Sequence, residues 1–113
     1  FRPYKIIEDG EDTGIVELPV TWVLDDAPHF LSNIFPYIVG LADPDKVYKI
    51  WSTEFDGAYA QGGAFILTCH PQIIGRYHRI IMLEKLIQYM MGHPDVWFTT
   101  GTELAQEWLA QQK

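Results

Sequence analysis

The chain has 113 residues, enough for one small domain, and at 48% hydrophobic it carries the apolar side chains to build a core rather than remain disordered. A net charge of −7, with only eight scattered Lys and Arg, argues against nucleic acid as a partner, because phosphate binding needs clustered cations. The single cysteine excludes an internal disulfide and a cysteine-based zinc cluster and fits a reducing, cytoplasmic setting, and no apolar run reaches the roughly 20 residues that span a bilayer.

Residues 1–14 are polar, and EDGEDTG predicts a hairpin or surface loop. The stretch VELPVTWVLDD alternates, with Val16, Leu18, Val20, Trp22 and Leu24 on one face, and predicts a strand with an irregularity at Pro19. Asp25-Asp26-Ala27-Pro28 ends it, and residues 27–42 read as a loop containing His29, Phe30, Phe35 and Tyr37. Asp43-Pro44 has the form of an N-cap followed by proline at the first helical position, so a helix is expected over 44–60, closed by Gly62-Gly63. AFILTCH predicts a buried strand, and Pro71 to Gly75 a turn, with Gly75 in a left-handed conformation. A second helix is expected over 77–91, with Ile80, Leu83, Ile87 and Met90 facing inward and Gly92 after its end. VWFTT then reads as a short strand, and Gly101-Thr102-Glu103 opens a last helix with Leu104, Ala105, Trp108 and Leu109 on one side.

Strands alternating with helices predict an α/β fold with three or more parallel strands. Parallel strands share one C-terminal rim, where such folds bind ligands. Asp25-Asp26, His70 and Thr99-Thr100 each fall at a predicted strand end and are expected on that rim. Three strand–helix units are too few for a barrel, which needs about eight strands. The chain therefore reads as a small open sheet or as the C-terminal half of a larger domain. A first residue that is Phe rather than Met fits a processed, truncated or partial chain.

His70 is the sharpest chemical candidate, since a histidine next to a carboxylate can serve as an acid or base near neutral pH; it can equally be an ordinary hydrogen-bonded loop residue. Asp25 or Asp26 would raise its pKa and orient it, or would serve only as a cap or turn. On a strand only one of two adjacent aspartates faces the site. Trp22 is either core or an apolar wall at the site's mouth. Arg76 and Arg79 would contact an anionic or carbonyl-bearing substrate, or pair with surface acids. His29 and His78 read as surface or loop residues, His93 as a helix-end residue, and Cys69 as inert core. No HxxxH or HExxH spacing occurs, so no metal site is assigned to this chain's own residues.

Taken together, ELPVTWVLDDAPHF, ILTCHPQIIGRYHRIIMLEKLIQYM and VWFTTGTELAQEW resemble the C-terminal part of the polysaccharide deacetylase superfamily, the carbohydrate esterase family 4-like hydrolases. The likeness is strongest to its peptidoglycan deacetylase-like and allantoinase-like members, runs from about Val16 to Trp108, and is most specific at HPQIIGR. It implies that residues 1–113 are the C-terminal portion of a single distorted (β/α) barrel that hydrolyses non-peptide C–N bonds. The substrate would be an N-acetylated sugar, or a small ureide or cyclic imide. It also implies a divalent metal, typically zinc, held by an N-terminal half that is absent from this sequence together with the catalytic base. Carried over, His70 matches the general acid that protonates the leaving nitrogen, Asp25 matches its tuning carboxylate with Asp26 as second choice, and Trp22, Asp26 and Arg76 fall at the substrate. The partners implied are that N-terminal half and further copies in a homo-oligomer, with no nucleic acid or membrane. Alone, the chain is expected to be inactive. The competing reading is a non-catalytic α/β interaction domain in which His70 and Asp25 are structural.

Overall fold

The structure is a computed structural model and describes residues 1–33 and 38–112; Phe35 and Tyr37 of the expected aromatic loop lie outside them. The chain begins with an antiparallel hairpin of β1 (Tyr4–Glu8) and β2 (Glu11–Glu17). Its two-residue turn is Asp9-Gly10, and both have positive φ, 50° and 87°. That is the geometry that matches hairpin twist and that Asp-Gly adopts most readily.

The strand predicted to continue through Leu24 stops at Glu17. Pro19 has no N–H to give a ladder, and the chain tightens into a 3-10 turn at Trp22–Leu24. The alternation is therefore broken: Trp22 is 79% exposed while Leu24 is 1% exposed. A short helix follows at once, α1 (Asp26–Phe30), where the sequence reading placed a loop. Two-residue strands β3 (Ser32–Asn33) and β4 (Ile38–Val39) pair antiparallel.

Helix α2 (Pro44–Ala60) has the predicted bounds, with the Asp43 side chain accepting the Asp45 N–H and Pro44 opening the first turn. A four-residue helix α3 (Pro71–Ile74) fills the predicted turn, and α4 (Tyr77–Met91) matches its expected limits. The inward stripe of α4 is rotated from the expected one. Arg79, Met82, Leu86 and Met90 are buried, whereas Ile80 and Ile87 are 41% and 37% exposed. Both stripes are apolar, so periodicity alone did not separate them. Helix α5 (Gly101–Gln111) starts with a capping box in which Thr100 and Glu103 bond each other's backbone.

Three parallel strands do not assemble among the described residues. The segments 64–70 and 96–100 are extended but form no ladder, and the one parallel contact is a single bridge between Asp25 and Thr68. Between these two segments, the inner end of α2 and the Ile87 side of α4 lies an apolar cleft of about 860 Å³. The core lies between α2 and α4: Trp51 and Leu86 are fully buried there, with Leu24, Phe30, Val47, Phe55, Ile73, Ile74 and Met82 around them. None of the described helices is long and apolar enough to cross a membrane.

Leu86→Ala removes a fully buried side chain from the α2–α4 seam. It is expected to lower the unfolding free energy by about 2–5 kcal/mol, read by chemical denaturation, with the helix content of the folded state unchanged.

Candidate active site

His70 stands where the extended segment 64–70 becomes α3. Pro71 is the first helical residue, and a proline holds the residue before it in extended backbone, here φ −107° and ψ 123°. The His70 carbonyl accepts the N–H groups of Ile73 and Ile74, so the residue anchors the helix by its backbone and leaves its side chain free for another use.

That use is set by the parallel bridge. Thr68 donates its N–H to the Leu24 carbonyl at 2.9 Å and accepts the Asp26 N–H at 3.1 Å, which brings the start of α1 beside the end of the extended segment. Asp25 is the N-cap of α1 and accepts the Ala27 N–H at 2.8 Å. Asp26 is the first helical residue and is completely buried. Its two carboxylate oxygens receive two donors from one residue: the backbone N–H of His70 at 2.8 Å and the ring Nδ1 at 2.6 Å.

The carboxylate on His70 is thus Asp26, not Asp25, which lies 3.9 Å from Nδ1 and is occupied as a cap. The expected order of the two aspartates is reversed because the chain is helical, not extended, from Asp26 onward. Nδ1 faces a carboxylate and so carries a proton, which leaves Nε2 without that partner. The side chain of His70 is 38% exposed, and with Nδ1 turned to a buried partner its outer edge is the Nε2 edge. The hydrogen bond that Nδ1 donates to Asp26 raises the His70 pKa above the ordinary histidine value; partial desolvation opposes this, and the charges of Asp26 and Asp25 add to it.

The turn that carries Asp25 and Asp26 is tied to the core. The Val23 carbonyl accepts two ring N–H groups, Trp51 Nε1 at 2.8 Å and His29 Nε2 at 3.0 Å. His29, expected at the surface, is half-buried, with its ring edge-on to Trp51 and Phe30. Its role was not legible in the sequence, because Trp51 is 28 residues beyond Val23.

The remaining candidates make no hydrogen bond or ion pair with this pair among the described residues. Trp22 is on the same turn and open to solvent, so it is not core. Arg76 is exposed at the start of α4 and makes no ion pair among the described residues. Gly75 is not left-handed, with φ −72°; a side chain there would run into the Pro71 carbonyl. Thr99 and Thr100 spend their hydroxyls on Glu103. Cys69 is a half-buried thiol whose pKa is pushed up to about 11, chiefly by desolvation, which makes it a poor nucleophile. His93 packs against Phe55, Tyr59 and Tyr89 and bonds the Tyr89 carbonyl at the end of α4.

Asp25, Asp26 and His70 offer donor atoms within 4.8 Å of one another, the composition of a cation site. Asp26 Oδ1 already accepts from His70 Nδ1, Asp26 Oδ2 from the His70 backbone N–H, and Asp25 Oδ1 from the Ala27 N–H. The residues present therefore do not fit a resident metal; they fit a hydrogen-bonded carboxylate–imidazole pair.

Asp26→Asn is expected to return the His70 pKa toward about 6.5, whereas Asp25→Asn moves it little; proton NMR titration of the imidazole checks both. The sign of the linkage follows from the raised pKa. The stabilisation from charged His70 is complete below about pH 6.5 and is lost as pH rises through its elevated folded value. Denaturation curves collected across that window will show the wild type losing this increment and His70→Gln not losing it.

No family model matches the chain. It is 31% identical over 103 residues to the peptidoglycan deacetylase of Helicobacter pylori, a match that takes in 88% of this chain and 35% of that protein. It superposes with a TM-score of 0.86, at 31% identity, on the crystal structure of a Mycobacterium smegmatis protein assigned as a polysaccharide deacetylase, over 98% of this chain and 38% of the other. The chain thus spans little more than a third of the length of the relatives it matches, and along nearly its whole length it resembles these deacetylases in sequence and backbone.

Proposed function

We propose that this chain is the acid-bearing part of a hydrolase that removes an N-acyl group from a glycan, with His70 as the general acid. The observation that carries the reading is the His70–Asp26 pair: a partly exposed imidazole whose proton affinity is raised by a fully buried carboxylate on its inner nitrogen. A raised pKa favours the charged ring, which suits donation rather than abstraction of a proton. In the reaction, the C–N bond of the amide breaks and the Nε2 proton passes to the departing nitrogen, so that it leaves as a neutral amine. The acyl group takes up the oxygen of water and leaves as the acid. Asp26 keeps its hydrogen bond to Nδ1 throughout and stabilises the imidazolium before transfer.

The general base, and a divalent metal for which zinc is the expected ion, are assigned to residues outside this chain. The same missing part would cover the apolar cleft and pair the extended segments 64–70 and 96–100, whose backbone forms no ladder among the described residues. A polysaccharide or peptidoglycan substrate is favoured over a small ureide or imide for two reasons. The named relatives are deacetylases of glycans. Trp22, 79% exposed on the turn that precedes Asp25, offers a flat apolar face for a sugar ring. His29 and Phe30, by contrast, are drawn into the interior and do not narrow a mouth for a small substrate. The interaction-domain alternative fits the capping role of Asp25 but gives no reason for a buried carboxylate on the His70 ring.

His70→Ala in the full-length protein, assayed on an oligomer of N-acetylglucosamine, is expected to lower kcat by about 100- to 10,000-fold. It should also abolish the fall in rate at high pH that marks loss of the acid's proton. Full activity in a folded His70→Ala protein contradicts the assignment.

A further inference from the structure

Arg79 is a cation in the wrong place for a solvent-exposed helix residue. It lies in the first turn of α4, is only 8% exposed, and has no carboxylate within ion-pair distance among the described residues. Its partners are neutral carbonyls: Nη1 donates to Ile73 O at 3.0 Å and Nη2 to Phe30 O at 3.4 Å, with Cζ 4.8 Å from the centre of the Phe30 ring. Nε is buried with no partner among the described residues. Burying a charge on these terms is costly, and a leucine or methionine would fill the volume without that cost.

The identity of the two carbonyls gives the reason. Phe30 is the last residue of α1 and Ile73 the penultimate residue of α3, so both belong to helix C-termini whose carbonyls have no intrahelical donor. The opposite ends of the same two helices carry Asp26 and His70. Helices of five and four residues do not hold their own geometry. A planar guanidinium is suited to grip two carbonyls at once, and its charge favours the negative ends of both helices.

We propose that Arg79 is a positioning residue for the His70–Asp26 pair: one buried guanidinium clamps the C-terminal ends of α1 and α3 and so fixes the distance between the two helix starts that bear the aspartate and the histidine. The arrangement forms a closed frame, with the Asp26–His70 bonds at one end, the Arg79 fork at the other, and the two short helices as its sides. The importance of the clamp for catalysis rests on the acid role of His70; its existence does not.

The test uses Arg79→Lys, which keeps the charge but not the fork, and Arg79→Met, which keeps only the stem, in the full-length protein. His70 is titrated by NMR in each variant, and turnover is measured on an oligomer of N-acetylglucosamine. Both variants are expected to lower the His70 pKa and to weaken the Nδ1 proton's hydrogen bond, seen as a shift of its resonance upfield. Turnover should fall on the order of 10- to 100-fold, as expected for a misplaced catalytic group, with KM unchanged. A folded variant with wild-type His70 titration overturns the clamp. An altered titration with wild-type turnover leaves the clamp standing and contradicts His70 as the acid. If neither variant folds, Phe30→Leu withdraws the ring beneath the guanidinium, with its edge-on contacts to His29 and Trp51, keeps both carbonyls, and is expected to give the same pKa change in smaller measure; an unchanged titration there overturns the proposal.

Discussion

A carboxylate with no exposure to water keeps its charge only if its oxygens find donors, and Asp26 finds two on a single residue. The bond to the His70 backbone fixes where the histidine is, and the bond to Nδ1 fixes which way its ring faces and which nitrogen carries the first proton. Position, orientation and protonation state are thus set by one buried side chain. The rest of the described structure serves to keep that side chain where it is.

It does so from two directions. Behind the 3-10 turn, the Val23 carbonyl is held by Trp51 and His29, which links the turn to the middle of α2 and to the most buried part of the core. Beneath the short helices, Arg79 joins the ends of α1 and α3. The parallel bridge between Asp25 and Thr68 supplies the third connection, and among the described residues it is the one place where two segments meet as in a parallel sheet. Core packing and site geometry are therefore the same set of contacts seen from two sides. The contacts that hold the His70–Asp26 pair in place lie within this chain.

Where local chemistry decides, the sequence was readable. Asp43-Pro44 and Gly92 bounded α2 and α4 because caps act within a few residues, and Asp-Gly at positions 9 and 10 set the hairpin turn. The extended backbone of His70 before Pro71 was legible for the same reason. Where tertiary contacts decide, it was not. Val20 and Trp22 continued a strand pattern that Pro19 and the 3-10 turn interrupt. Two apolar stripes on α4 were equally good by spacing, and only packing against α2 chose Met82 and Leu86 over Ile80 and Ile87. The choice between Asp25 and Asp26 depended on the chain entering a helix one residue after Asp25, a change that adjacent aspartates do not announce. Arg79 was visible only as a charge, since its partners are main-chain carbonyls of Phe30 and Ile73 that leave no mark in the sequence.

The most direct test of the account is the tautomer of neutral His70, read from the nitrogen-15 shifts of its ring at a pH above its pKa. A buried Asp26 carboxylate on Nδ1 requires the proton to stay there, so Nδ1 is expected to show the shift of a protonated nitrogen and Nε2 that of a bare one, the reverse of the form favoured by free histidine. A ring protonated at Nε2, or one exchanging between the two forms as a solvated imidazole does, would contradict the arrangement on which the acid role, the clamp and the fold of the two short helices all depend.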